Sequence, residues 1–234
     1  MHQISPIAYF HSPLREKFGV PRQSSLVSSL EGSIVFEPQY ARQEAIRGLE
    51  GFDYLWLIWG FDRNAESASL TVRPPRLGGN DRIGVFATRS PFRPNALGLS
   101  SVRIKSIDFK ECIISVLGAD LADNTPIYDI KPYLPYTDSH PDARAGFTDN
   151  AIWTRLDVLP SSIEVKTILE QTFTSSQLES LLGILREDPR PQYQKKSNPT
   201  KSYGLLYLQY NVKFHVEDNT LYIDSLTETC DTSK

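Results

Sequence analysis

The sequence predicts a mainly β protein: a non-Rossmann β-barrel first, then a small α+β domain. Three observations carry this. Residues 1–135 hold many short apolar runs bounded by Gly, Pro, Asn or Asp, as in a closed or nearly closed barrel. No GxGxxG follows a strand and opens a helix, so the glycine fingerprint of a Rossmann site is absent. After Pro135 the composition shifts, and one stretch takes up helical spacing.

In chain order, Ile4–Phe10 starts extended, and Gln39–Leu49 has the residues of a short helix. Tyr54–Phe61 (YLWLIWGF) is a continuous apolar run, which predicts a strand buried on both faces. Further strands are expected at Ile83–Thr88, Ser101–Ile107, Cys112–Leu117 and Pro126–Ile130. Lys110-Glu111 marks a hairpin, and Ala119–Thr125 is a polar turn cluster. The expected division is a barrel domain over 1–136, a polar linker over 137–150 and an α+β domain over 151–234. In the last of these, Leu178, Leu181, Leu182 and Leu185 share one helix face within Ser176–Asp188, with Ser175 or Ser176 as cap. Tyr203–Tyr210, Asn211–Val216 and Thr220–Ile223 read as strands with Asp218-Asn219 as a turn, and TETCDTSK reads as a frayed tail.

The bulk figures set bounds. At 234 residues the chain can bury a core without staples. Its two cysteines form no CxxC pair and its four histidines have no metal-ligand spacing, so no metal is expected. No signal peptide is read at the N-terminus, and no apolar run nears the roughly 18 residues of a membrane span. A soluble, cytoplasmic protein is expected. The net charge of -3 argues against bulk binding of polyanions. Charge is nevertheless concentrated. Between Leu70 and Lys105 lie Arg73, Arg76, Arg82, Arg89, Arg93 and Arg103, with Asp81 the only acid. A local basic face on a mildly acidic chain suits a specific anionic partner.

There is no GxxxxGK[ST], GxSxG or HExxH, which removes P-loop, serine-elbow and zincin chemistry. Three stretches remain rich in functional residue types: Val20–Gln23, Arg73–Ser100 and Asp120–Pro135. Proline stiffens their loops, arginine supplies a planar fork of donors, and asparagine both donates and accepts. A lone arginine is ordinarily a solvated surface residue. Six in one proline-punctuated segment suit anion recognition as well as a solvated surface. Asp129 and Lys131, two apart on a strand, face the same side and suit a structural ion pair as well as a catalytic role.

Several of these stretches resemble the TsaA-like family, also called TrmO. They are VPRQ at 20–23, RGLEGFDYLWLIW at 47–59, TVRPPRLGGNDRIGVFATRSPFRPNALGLS at 71–100 and DNTPIYDIKPYLPY at 123–136. DPRPQY at 188–193 resembles the C-terminal motif of the bacterial two-domain form. The resemblance runs from about Ile4 to Phe214 with the motifs in the family's order. It implies a homodimeric β-barrel methyltransferase that uses S-adenosylmethionine. The implied target is N6 of threonylcarbamoyladenosine at position 37, in the anticodon loop of tRNA.

The implied cofactor residues are Pro21, Arg22, Gln23, Asp62, Arg63, Arg89, Leu99, Leu121, Ala122, Asp123 and Asn124. Asp62-Arg63 stand where bacterial relatives commonly carry histidine-glutamine, and Ala96-Leu97 replace a common proline-isoleucine pair. Asn124 replaces a frequent glycine and tolerates the same left-handed turn. For the chemistry, Asp129 or Asn95 is the expected acceptor of the N6 proton. Arg89 or Arg93 is expected to hold the carboxylate of the cofactor or of the threonyl group. Arg73, Arg76, Arg82, Lys131, Arg190 and Tyr193 are expected to contact tRNA. A cofactor-binding sensor without catalysis and a plain RNA-binding module are the competing readings.

Overall fold

The computed structural model describes residues 3–64, 69–74, 81–149, 154–191 and 201–229. Six strands close a barrel in the order β1-β2-β7-β6-β3-β8, with β8 pairing back onto β1. They are β1 (Ala8–His11), β2 (Glu31–Phe36), β3 (Tyr54–Gly60), β6 (Leu97–Asp108), β7 (Ile113–Leu117) and β8 (Thr125–Pro132). Every pairing within the barrel is antiparallel. Closure removes the unpaired edges that short strands would otherwise expose. A two-stranded ribbon, β4 (Thr71–Val72) with β5 (Ile83–Gly84), stands outside the barrel.

Alternation sets the barrel core. In β3 the side chains of Leu55, Leu57 and Trp59 point inward and are buried. They meet Phe10, Ile34, Val102, Ile114, Val116 and Ile127. The outer face of β3 is half-covered rather than fully buried, so the continuous apolar run overstated its burial. Tyr133 lies against Trp56 there, with ring centroids 5.6 Å apart, and Trp56 Nε1 donates to Asp138 at 2.8 Å. Asp138 closes α2 (Pro135–Asp138), which crosses the expected start of the linker.

Other expectations shift as well. Ile83–Thr88 is strand only to Gly84 and then a 3-10 turn over Val85–Ala87. β6 runs from Leu97 to Asp108, longer at both ends than expected. The helix after residue 39 shrinks to α1 (Gln43–Ile46). β2, with a glycine and a serine in six residues, was not anticipated.

The second unit is a four-stranded sheet, order β10-β11-β12-β9, packed by two helices. Its strands are β9 (Asp157–Pro160), β10 (Tyr203–Tyr207), β11 (Tyr210–Glu217) and β12 (Thr220–Glu228); its helices are α3 (Ile163–Thr172) and α4 (Ser175–Arg186). The cap of α4 is Thr174, not a serine: its side chain accepts from Gln177 N while Gln177 returns a bond to Thr174 N. Strands β11 and β12 are joined at Asp218-Asn219, as the sequence indicates. Leu14, Val27 and Leu30, which precede β2, are wholly buried in this second core with Leu181, Leu185 and Leu205. Segment 13–30 thus belongs to the barrel by sequence and to the second core by packing. Among the described residues, no helix is long and apolar enough to cross a membrane.

Candidate active site

A cavity of about 500 Å³ opens where the barrel mouth meets segment 17–23. Strand β3 brings Trp59 and Gly60 to it, and the residues after β3 add Asp62, Arg63 and Asn64. Strand β6 contributes Leu97, Gly98 and Leu99, and the turn after β7 contributes Asp120 and Ala122. Segment 88–93, stiffened by Pro91, supplies Thr88, Arg89 and Arg93.

The glycine in the GLS motif has a steric cause. A Cβ on Gly98 would sit 2.3 Å from Trp59 Cε2, so only glycine lets the indole lie across β6. From there Trp59 Nε1 donates to Ser100 Oγ at 2.9 Å, and Ser100 Oγ donates to Asp120 Oδ1 at 2.6 Å. Burial pushes the Asp120 carboxyl above its ordinary range. The Ser100 hydroxyl, the backbone N–H of Ser24 and the nearby Arg89 charge oppose that rise without cancelling it.

Across the mouth, an Arg89 guanidinium N–H donates to Gln23 Oε1, tying segments 20–23 and 88–93 together. Arg63 reaches back to donate to the carbonyls of Arg15, at 2.6 Å, and of Asp123. Asn124 adopts φ 61, the left-handed turn expected of it, and its N–H donates to Phe10 O at 2.7 Å. Asp123 accepts from Ser12 N at 3.0 Å and lies 3.3 Å from His11 Nδ1.

A second, wider cavity of about 1270 Å³ continues from the first through Arg22, Gln23, Thr88, Arg89 and Pro91. Its further wall carries Arg73 and Arg82 from the ribbon, with Phe86, Phe92 and Phe147. Phe86 is 75% exposed although large and apolar. No carboxylate lines this second cavity among the described residues.

The sequence-expected residues therefore divide. Pro21, Arg22, Gln23, Asp62, Arg63, Arg89, Leu99 and Ala122 line the first cavity, as does Arg93. Leu121, Asp123 and Asn124 form the turn behind it, Leu121 with its side chain in the barrel core. Asn95 is exposed on the loop and lines neither cavity. Asp129 also lines neither, and its carboxylate is 3.1 Å from Lys131 Nζ, the structural alternative of the two roles weighed for this pair. Arg190 is 7% exposed, and its guanidinium forks onto Asp188 at 2.8 and 3.1 Å. It is an internal ion pair rather than a surface phosphate contact. Arg76 and Tyr193 lie outside the described residues. The sequence reading missed the chain Trp59–Ser100–Asp120. Asp120 stood within a stretch singled out for its functional residue types, but nothing local separated it from the neighbouring acids.

Comparison with known proteins identifies the family and agrees with the fold. The tRNA-methyltransferase O N-terminal domain family matches residues 9–139, and the TrmO C-terminal domain family matches residues 157–229. The tRNA (adenine(37)-N6)-methyltransferase of Escherichia coli is 42% identical over 220 residues, 92% of this chain and 94% of that one. A putative S-adenosylmethionine-dependent methyltransferase of Pseudomonas aeruginosa is 38% identical over 224 residues, 92% of each chain. The crystal structure of TrmO from Pseudomonas aeruginosa superposes with a TM-score of 0.78 at 28% identity, covering 97% of this chain and 98% of that one.

Proposed function

Because the chain belongs to the TrmO family of tRNA methyltransferases, we propose that it methylates N6 of threonylcarbamoyladenosine at position 37 of tRNA. At the coarser level the chain is an S-adenosylmethionine-dependent tRNA (adenine(37)-N6)-methyltransferase. The threonylcarbamoyl requirement, the anticodon loop as docking site, a homodimer and a cytoplasmic location complete the reading.

The observation that supports it is the junction of the two cavities at Arg22, Gln23 and Arg89. The first cavity fits S-adenosylmethionine. Trp59, Phe61 and Leu99 offer apolar surface for its rings and chain, and Arg22 and Arg89 offer donors for its carboxylate. When bound, the cofactor supplies a methyl group on a positive sulfonium, already a good electrophile. What the protein adds is alignment and exclusion of water. The second cavity suits RNA. Arg73 and Arg82 provide phosphate contacts, while Phe86 and Phe92 provide faces on which splayed bases stack.

Arg93 sits at the edge of the first cavity with its side chain braced on Thr88 O at 2.9 Å and on Ser90 O at 3.3 Å. We assign it the threonyl carboxylate. An unmodified adenosine would then leave this arginine without a carboxylate partner, which would account for a need for prior modification. No step is assigned to Asn95 or Asp129. The test uses tRNA from a strain lacking this methylation, incubated with the purified protein and S-adenosylmethionine. Nucleoside mass analysis should show one added methyl on threonylcarbamoyladenosine. Equal methylation of tRNA lacking that modification would overturn the finer reading. Cofactor binding with no mass change would favour the sensor.

A further inference from the structure

N6 of a carbamoylated adenosine is amide-like, so its electron pair is delocalised and its proton must leave as the new bond forms. A base at the reacting nitrogen is therefore needed. The two cavities restrict where it can stand. The second contains no carboxylate among the described residues, and the first contains two, Asp62 and Asp120. Among the described residues no histidine lines either cavity. Asp62 is 42% exposed at the rim, with Arg63 Nε 4.0 Å from its carboxylate. Asp120 stands deeper, at the barrel mouth, on a turn fixed by Gly118 and Ser25, whose N–H donates to Gly118 O at 2.7 Å.

We propose that Asp120 is the general base of the methyl transfer, held in register by Ser100 and Trp59. The hydrogen-bond chain gives the reason. Trp59 Nε1–H occupies an acceptor position of the Ser100 hydroxyl, and the hydroxyl proton is thereby directed to Asp120 Oδ1. The backbone N–H groups of Asp120 and Ser24 also bond the carboxylate, which lines the first cavity and so stands where the substrate nitrogen would arrive. This deepens the proposed function and rests on it. The balance is simple. The N6 electron pair forms the bond to the methyl carbon, the carbon–sulfur bond breaks with its pair going to sulfur, and the N6 proton passes to the Asp120 carboxylate. The sulfonium becomes a neutral thioether, and Asp120 later releases its proton to solvent.

The charged groups around Asp120 are Arg89, closest in effect, with Lys17, Arg22, Asp62, Arg63 and Arg93 lining the same cavity. The cations favour the carboxylate form that a base requires. Burial makes that carboxylate more basic than an exposed aspartate and so better matched to a weakly acidic N–H.

The experiment compares wild type, Asp120→Asn and Ser100→Ala in single-turnover methylation across pH, with cofactor affinity measured by titration. Methylation by the wild type tests the underlying reading, and the variants test Asp120. Asp120→Asn should lower the single-turnover rate by about 10² to 10⁴-fold and abolish the acid limb of the pH profile, with the protein still folded and binding cofactor. Ser100→Ala removes a bond that favours the charged form, so the acid limb should move to higher pH. A readout that needs no activity is carbon-13 NMR titration of the Asp120 carboxyl in the cofactor-free protein. Its midpoint should lie above the ordinary aspartate range and rise further in Ser100→Ala. An Asp120→Asn rate within a few-fold of wild type would overturn the proposal. So would a loss confined to cofactor affinity with the pH profile unmoved, since Asp120 would then be a cofactor anchor.

Discussion

The two hydrophobic cores of this molecule are built differently, and segment 17–23, which lines the first cavity, lies between them. The barrel core is closed by hydrogen bonds around a ring of six strands, and its residues come from one stretch of chain between Ala8 and Ile127. The second core is an open sheet covered by two helices, and it is completed by Leu14, Val27 and Leu30 from far upstream. Those three side chains anchor both ends of the segment that carries Pro21, Arg22 and Gln23. The second unit thus supports, from behind, the segment that lines the first cavity.

Removing the second unit should break this arrangement most severely. A chain ending at Asn150 would expose Leu14, Val27 and Leu30, each stabilised by about 1.5–3 kcal/mol on burial. Its cofactor affinity, read by calorimetry, should be lost even though the barrel strands are intact. A truncated chain that bound cofactor normally would show the two cores to be independent. Leu205→Ala, in the centre of the second core and outside the cavity, should cost about 2–5 kcal/mol in denaturant unfolding and weaken cofactor binding.

Gly19→Ala sharpens the comparison at a single contact. Gly19 has φ +93, and a Cβ there would lie 2.2 Å from Leu205 Cδ1. Strain and overlap together predict a loss of about 2–4 kcal/mol, with cofactor affinity falling alongside stability. Ser180→Ala is gentler. Ser180 Oγ donates to Ser29 O at 2.7 Å across the same junction, and its loss should cost about 1 kcal/mol in the same unfolding assay.

On the barrel side, the buried Asp120 gives a pH signature. Its folded pKa is raised, so its contribution to stability is full below the unfolded value and is lost as pH rises through the folded one. Asp120→Asn should therefore raise the Tm near neutral pH, and the gain should vanish in acid. A variant that gains stability while losing turnover is what a site-imposed cost looks like.

The same contrast explains what could be read in the sequence. The barrel strands announced themselves through apolar runs between turn residues, and β3 and β7 fell close to their expected bounds. The α4 helix was legible because four leucines keep one face. Helix α3 was missed because Ile163, Val165, Thr167 and Ile168 are β-branched and give it no clear helical preference. Pro21, Arg22, Gln23 and Arg89 were legible as parts of family motifs, and the fold brings them to one cavity. Asp120 was not, because its meaning comes from Ser100 and Trp59, which only barrel closure brings beside it. Arg190 misled for a similar reason: nothing local shows that Asp188 folds back to bury it.

The claim on which the rest depends is that the cavity between the barrel mouth and segment 17–23 holds S-adenosylmethionine. Calorimetric titration of S-adenosylmethionine into the full chain and into Arg89→Ala tests it directly. One cofactor per chain, with affinity at least tenfold weaker in the variant, is the predicted result. No binding by the full chain, or the same affinity in Arg89→Ala, would contradict it.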